Sequence, residues 1–275
     1  MTIRKIEING VNLVYLDQGR GTTVVFVHGA FSDHRVWEAQ REVVAAHYRY
    51  IALTRRYHGT GPWPDNGESF SAATHAADLA AFIRALDAGP VHLVGRSYGG
   101  YIAILVALQH PDLVQSAVVQ EPAIVSLLTG PEGKAILDER NHSAVQSRAA
   151  IAGGDLKKAT ILFAEWVNNK GPGSFNQEPE AYCAMALDNA RTIPLQLTPA
   201  APPVPITCEQ LRQFKPPLLI VNGAQTRRFF SLVGEEVARC VAGSTRLVVA
   251  NATHGPASQN PTVFNDALLK FLEKH

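Results

Sequence analysis

One stretch, residues 91–100 (VHLVGRSYGG), limits the folds open to this chain more than any other. It joins two apolar runs through the pattern Gly95-x-Ser97-x-Gly99. This pattern is typical of a strand that turns sharply into a helix and holds its serine in a strained, exposed position. Small residues are expected at Gly95 and Gly99 because strand and helix approach each other closely there. The helix N-terminus would then favour negative charge that develops near Ser97.

Apolar strand-like runs alternate with helix-like stretches on both sides of this turn. An Asn9-Gly10 pair between two alternating runs predicts an N-terminal β-hairpin. Several later runs are almost continuously apolar, which is typical of strands buried on both faces of a sheet. The alternation predicts an α/β fold with a mostly parallel central sheet flanked by helices. The predicted strands cover residues 4–8, 11–16, 23–27, 50–53, 91–94, 117–119, 218–221 and 245–249.

The segment between the sixth and seventh predicted strands has a different character. It reads as helices and irregular loops, and it ends in an extended, proline-rich return over residues 194–205. The simplest interpretation is a helical cap inserted into the sheet domain. We therefore assign residues 1–123 and 206–275 to the core and residues 124–205 to the cap. The helices predicted within the cap cover residues 143–152 and 155–168, and a third lies within residues 178–191.

Composition and charge describe an ordinary globular chain. Of its 275 residues, 46% are hydrophobic and 18% charged, which is enough apolar surface for a large core. The net charge of +1 gives no reason to expect nucleic acid or an anionic membrane as a partner. The longest apolar run, residues 101–108, is too short to span a membrane, and residues 1–7 lack the apolar segment of a secretion signal. We expect a cytoplasmic protein that is a monomer or a homodimer.

The three cysteines, Cys183, Cys208 and Cys240, are few and widely spaced. Their spacing does not fit a disulfide framework or a zinc site. We therefore expect three structural thiols, as in a reducing compartment, and no bound metal.

Three short motifs each follow a predicted strand: His28-Gly29, Gly95-x-Ser97-x-Gly99-Gly100 and His254-Gly255. In these motifs and in their order the chain resembles the α/β-hydrolases over nearly its whole length. The resemblance implies an α/β-hydrolase fold with a cap, and hydrolysis by a serine nucleophile without a cofactor. In such a sheet, loops that leave the carboxyl ends of the strands converge at one edge.

The resemblance makes Ser97 the nucleophile, and a serine hydroxyl needs a base to take its proton near neutral pH. Of the ten histidines, His254 is best placed, because it follows the last predicted strand. His28 belongs to the loop after the third strand, where the family pattern makes it structural. His92 and His110 belong to the strand and the helix around the serine, and we interpret both as structural.

The acid of this triad does not stand at its usual place. In most α/β-hydrolases it follows the strand after the cap, but here residues 222–230 contain no Asp or Glu. Glu121 instead follows the strand after the helix that Ser97 begins. The zearalenone lactonases and one branch of haloalkane dehalogenases carry their acid there, so the resemblance implies Glu121. Asp138 and Asp188 in the cap are weaker alternatives.

The oxyanion that forms during acyl transfer needs preorganised hydrogen-bond donors. The resemblance implies the backbone N–H groups of Tyr98 and Ala30. Phe31 is expected to line the acyl site. Phe163 and Trp166, on one predicted cap helix, could either line an apolar pocket or pack the cap on the core.

These features predict a serine hydrolase that cleaves a carboxylic ester or lactone of small to medium, mostly apolar character through an acyl-enzyme. Serine rather than aspartate at the turn disfavours a haloalkane dehalogenase or an epoxide hydrolase. A carbon–carbon bond hydrolase of the same fold and a catalytically weak ligand receptor stay open as alternatives. Arg55 and Arg56 could bind a substrate carboxylate, but such arginines more often brace a loop.

Overall fold

The computed structural model describes residues 2–200 and 202–275. Its strands are β1 (Thr2–Ile8), β2 (Val11–Gln18), β3 (Thr23–Val27), β4 (Arg49–Thr54), β5 (Val91–Arg96), β6 (Val114–Gln120), β7 (Leu218–Gly223) and β8 (Thr245–Val249). Its α-helices are α1 (Glu38–Ala45), α2 (Ala72–Ala85), α3 (Tyr98–Gln109), α4 (Gly130–Ala152), α5 (Leu156–Val167), α6 (Glu180–Asp188), α7 (Ile193–Leu197), α8 (Cys208–Leu211), α9 (Arg228–Cys240), α10 (Pro256–Gln259) and α11 (Pro261–Lys274). Short 3-10 helices lie at His34–Trp37, Pro111–Leu113, Val125–Leu127, Ser174–Gln177 and Ala190–Thr192.

The strands form one eight-stranded sheet in the order β1-β2-β4-β3-β5-β6-β7-β8. β2 is antiparallel to both of its neighbours, and every other pair is parallel. The predicted hairpin joins β1 to β2, with φ of 49° at Asn9 and 74° at Gly10. A two-residue turn of this kind needs positive φ at both positions, which Asn and Gly tolerate best. The predicted mostly parallel sheet is confirmed.

The core consists of two hydrophobic layers, one on each face of the sheet. Alternate residues of β3 show the division: Val25 and Val27 join one cluster, and Val24 and Phe26 join the other. The first cluster includes apolar residues of α2, α3 and α9, and the second includes those of α11. A strand whose side chains are buried on both faces must be apolar at consecutive positions, which explains the continuous apolar run of β3.

Among the described residues, the segment between β6 and β7 contains helices and no strand. α4 has 23 residues and begins earlier than the predicted helix at 143–152. The proline-rich return is also not extended throughout, because α7 begins in it with Pro194 in its first turn. Proline is tolerated in the first turn, because a backbone N–H at that position would have no partner within the helix. Ala201 lies in the same stretch and outside the described residues, as does Met1. The cap boundaries at residues 124 and 205 stay a prediction.

The expectation of three free thiols was wrong for two of them. Cys208 and Cys240 form a disulfide bond with their Cα atoms 5.2 Å apart, while Cys183 is free. The bond forms because α8 packs on α9 and brings together two residues that are 32 positions apart in sequence. Disulfides are typical of oxidising compartments, so the thiols no longer support the predicted cytoplasmic location. No helix in the described part of the chain has the length and apolar character needed to cross a membrane.

Candidate active site

Three buried side chains lie beyond the carboxyl ends of β5, β6 and β8. Ser97 and Glu121 directly follow β5 and β6, and His254 lies in the loop after β8. Their exposed fractions are 9%, 0% and 3% respectively. Ser97 has a φ of 54° and Glu121 a φ of 53°. Positive φ costs a non-glycine residue about 1–3 kcal/mol and persists only where the surrounding fold imposes it.

Two glycines make the turn around Ser97 sterically possible. A Cβ at Gly95 would lie 2.5 Å from the carbonyl oxygen of Gly99, which agrees with the predicted crowding of strand and helix. A Cβ at Gly99 would instead overlap the carbonyl oxygens of Val27 and His28. Gly99 therefore makes room for the loop after β3, and this close approach places that loop beside the serine.

The carboxylate of Glu121 is surrounded by hydrogen-bond donors. Its Oε2 lies 3.3 Å from Nδ1 of His254 and accepts a hydrogen bond from the hydroxyl of Thr226. Its Oε1 accepts from Nδ2 of Asn222 at 3.0 Å and from the backbone N–H of Gly223 at 2.8 Å. A fully buried carboxylate is costly unless such partners satisfy it. The stretch that ends β7 and follows it contains no acidic residue, but it supplies the hydrogen-bond donors that hold the carboxylate of Glu121.

The surroundings of His254 favour its neutral form. Burial lowers the pKa of His254 below its usual value of 6.5, and the hydrogen bond that Nδ1 of His254 donates to Glu121 raises that pKa by less. The positive charge of Arg96 lowers it further. The ring of Phe230 packs on the imidazole, with 3.9 Å between the ring centroids. A neutral imidazole held at Nδ1 keeps its Nε2 available to accept a proton.

Ser97 and His254 line a cavity of about 350 Å³ that residues of α4 and α5 also line. Ala30 and Tyr98, the residues predicted to supply the oxyanion donors, line the same cavity. Tyr98 is also the first residue of α3, where backbone N–H groups have no partner within the helix. In the described ranges, no group of three or more His, Cys, Asp or Glu side chains could hold a metal ion.

Aromatic side chains from the core and the cap form much of the cavity wall. The ring of Phe31 contacts that of Phe163 edge to face, with centroids 5.5 Å apart, and Phe163 stacks on Trp166 at 6.2 Å. Both Phe31 and Trp166 line the cavity. Trp166 also contacts Phe229 of α9 at 5.8 Å. Phe163 and Trp166 therefore line the pocket and also pack α5 on the loop after β3 and on α9.

The two arginines after β4 brace loops. Arg55 donates from Nη2 to the carbonyl of Gly29 at 2.7 Å and from Nε to that of His28 at 3.2 Å. Burial lowers the pKa of Arg55 to about 10. Arg56 forms an ion pair with Asp78 at 2.7 Å. Both side chains are thus engaged with the fold, which matches the more common role of such arginines.

Sequence reasoning missed the residues that surround the Glu121–His254 pair. Asn222 and Thr226 donate to the carboxylate, and Phe230 covers the imidazole. The sequence did contain a signal for these donors, because the polar residues Asn222 and Thr226 lie in the stretch after β7 where most α/β-hydrolases carry the acid. Of the weaker acid candidates, Asp188 forms an ion pair with Arg35 at 2.8 Å, and Asp138 lies on α4.

Comparison with known proteins agrees with the fold. A model described as the alpha/beta hydrolase family matches residues 24–267. The chain belongs to the alpha/beta hydrolase family. It is 28% identical to a non-heme chloroperoxidase from Streptomyces lividans, with 96% of this chain and 97% of that protein covered.

Two solved structures share the fold over nearly the whole chain. Bromoperoxidase from Bacillus anthracis matches with a TM-score of 0.79 at 23% identity, covering 99% of this chain and 100% of that one. Est816, described as an N-acyl homoserine lactone degrading enzyme, matches with a TM-score of 0.76 at 22% identity, covering 98% and 100%. At this level of identity, both matches bear on the fold alone.

Proposed function

We propose that this hydrolase cleaves a carboxylic ester or a lactone through an acyl-enzyme formed on Ser97. The observation that carries the proposal is the buried contact between Nδ1 of His254 and the carboxylate of Glu121, with His254 lining the same cavity as a serine at a strained turn. A carboxylate at Nδ1 orients the imidazole and stabilises its charged form. The other ring nitrogen then serves as the base for the serine, and Ser97 and His254 line one cavity.

The reaction follows from these positions. Ser97 Oγ attacks the substrate carbonyl while His254 takes its proton, and the same proton passes to the leaving alkoxide. The N–H groups of Ala30 and Tyr98 bind the oxyanion of the tetrahedral intermediate. Glu121 stabilises the imidazolium. Water, deprotonated by His254, then attacks the acyl carbonyl; the bond to Ser97 Oγ breaks, His254 returns the proton to Oγ, and the acid is released.

The position of the acid supports a lactone as one substrate class. Glu121 stands after β6, as the acid does in the zearalenone lactonases that the sequence resembles. A lactone reacts as an ester does, except that the leaving alkoxide stays attached to the acyl group. A wall with many aromatic side chains suits a substrate with an apolar body.

A fluorophosphonate probe tests the proposed nucleophile. Such a probe reacts with a serine only when a base activates it, so wild-type protein is expected to be labelled at Ser97 and Ser97→Ala is not. Peptide mapping identifies the labelled residue, and circular dichroism checks that both proteins are folded. Absence of labelling on folded wild type would favour the ligand receptor. A panel of aryl esters, lactones and vinylogous diketones then separates ester and lactone cleavage from carbon–carbon bond hydrolysis.

Hydrolysis is expected to continue at pH values below 6.5. His254 acts as a base only when it is neutral, and burial lowers its pKa below 6.5. As pH falls through that lowered pKa, protonation removes the base and kcat/KM declines. The measurement is kcat/KM for an uncharged aryl ester from about pH 4 to about pH 8. A midpoint of the acid limb at or above 6.5 would contradict the neutral, buried base.

A further inference from the structure

Three arginines interrupt the aromatic wall of the cavity. Arg96, Arg140 and Arg148 all line it, and no Asp or Glu of the described residues does. Arg96 is the last residue of β5 and directly precedes Ser97, while Arg140 and Arg148 both lie on the cap helix α4. Positive charge on a cavity with low-dielectric walls attracts an anionic ligand.

The cavity arginines differ from most others of this protein in their partners. Most arginines outside the cavity form ion pairs with carboxylates, as do Arg4, Arg35, Arg41, Arg49, Arg56, Arg227, Arg228, Arg239 and Arg246. None of the three cavity arginines has a carboxylate partner within the described ranges. In the described part of the chain, the fold thus pairs many arginines with carboxylates and leaves Arg140 and Arg148 without one, while Arg96 feels only the charges of Glu121 and Glu178 from outside ion-pair distance.

Burial makes the missing counter-ion costly. Arg96 is only 7% exposed, and burial lowers its pKa by more than the nearby charges of Glu121 and Glu178 raise it. Burial also lowers the pKa of Arg140, and the nearby charge of Arg148 lowers it further. A desolvated guanidinium without a carboxylate is unfavourable, and it becomes more so beside a second positive charge. A carboxylate entering the cavity would remove both penalties.

The two cap arginines are held in place by their neighbours. Arg148 donates from Nε to the carbonyl of Leu197 at 3.2 Å. The guanidinium of Arg140 lies over the ring of Phe229, 5.8 Å from its centroid. These contacts orient the planar groups without neutralising them. A guanidinium held in this way can bind both oxygens of a carboxylate.

We propose that Arg140 and Arg148 bind a carboxylate of the substrate, with Arg96 adding positive charge beside Ser97. The preferred substrate would then be an ester or lactone with an apolar body and a carboxylate remote from the scissile bond. This substrate class rests on the proposed function of Ser97. The sequence predicts a mostly apolar substrate. The substrate proposed here is amphiphilic, and its apolar body contacts the aromatic side chains of the cavity wall.

Two matched esters test the preference. Mono-4-nitrophenyl adipate carries a free distal carboxylate, and its methyl ester at that carboxylate has the same chain without the charge. Wild type is expected to favour the anionic ester by about tenfold or more in kcat/KM, as one charge-assisted contact allows. Arg140→Gln and Arg148→Gln should each lower this ratio by roughly tenfold, mainly through KM for the anionic ester. A wild-type ratio of one or less, or an unchanged ratio in both folded variants, would overturn the proposal.

The exposed pair Arg239–Glu236 offers a matched control. Arg239→Gln removes the same charge far from the cavity lining and should leave the ratio unchanged. Arg140→Lys keeps the charge but not the planar fork, so it should retain part of the preference. Circular dichroism checks the fold of each variant, and the wild-type ratio tests the proposal without any variant.

Binding to Ser97→Ala separates this proposal from the proposed function. Calorimetry with monomethyl adipate and dimethyl adipate is expected to detect the anion alone. If wild type hydrolyses neither ester while Ser97→Ala binds the anion, the proposed function fails and the carboxylate site stands. If wild type hydrolyses both esters equally and Ser97→Ala binds no anion, the carboxylate site fails and the proposed function stands.

Discussion

Replacement of His254 by alanine is expected to lower kcat by a factor on the order of 10⁶. In the proposed mechanism the imidazole is the base for Ser97 and the acid for the leaving alkoxide, so both halves of the reaction depend on it. Nucleophile and base act as one unit, and loss of either costs about as much as loss of both. KM should change little, because the imidazole acts mainly on the transition state. Steady-state kinetics with the best ester of the panel measures the effect.

The packing of His254 on Phe230 calls for a second variant that fills the same space. His254→Gln retains most of the side-chain volume and should lose as much activity as His254→Ala. His110, which ends α3 and contacts Arg84, is a control histidine outside the cavity lining. His110→Ala should keep wild-type turnover. If His254→Gln were folded and within tenfold of wild type, the base would be another residue.

The turn at Ser97 and the sheet could be predicted because neighbouring residues determine them. Asn9 and Gly10 accept positive φ at small cost, and this chemistry predicts the hairpin without knowledge of the rest of the chain. Gly95 is similar, because the serine pattern around it already implies a crowded turn. The continuous apolar run of β3 likewise reports its burial on both faces.

The surroundings of the acid could not be predicted, because they depend on strand register. β6 and β7 are separated by the whole cap, and they pair so that Gln120 lies opposite Val221. This register places Glu121 beside Asn222 and within reach of Thr226. The disulfide has the same kind of origin, since it depends on how α8 packs on α9. Contacts of this range leave no periodic signal in the sequence.

Replacement of Glu121 by glutamine is expected to lower kcat by about 10⁴. Asn222 and the N–H of Gly223 both donate to Oε1, so the amide oxygen of glutamine must face them. The amide NH₂ group then takes the place of Oε2 and donates to Nδ1 of His254. This contact favours the tautomer with its proton on Nε2, which cannot accept the proton of Ser97.

Kinetics of Glu121→Gln should therefore show a large loss in kcat with the fold retained. Thr226→Val removes one donor and keeps the carboxylate, so its loss should be far smaller. Near-normal turnover of Glu121→Gln would mean that Glu121 is not the acid of the triad.

A double variant sharpens the test, because the Thr226 hydroxyl contacts the same oxygen that faces His254. Glu121→Gln with Thr226→Asp places a new carboxylate on the loop after β7 and is expected to recover at least about tenfold of the lost kcat. Such recovery would mean that the site needs a carboxylate at Nδ1 of His254, whichever strand supplies it.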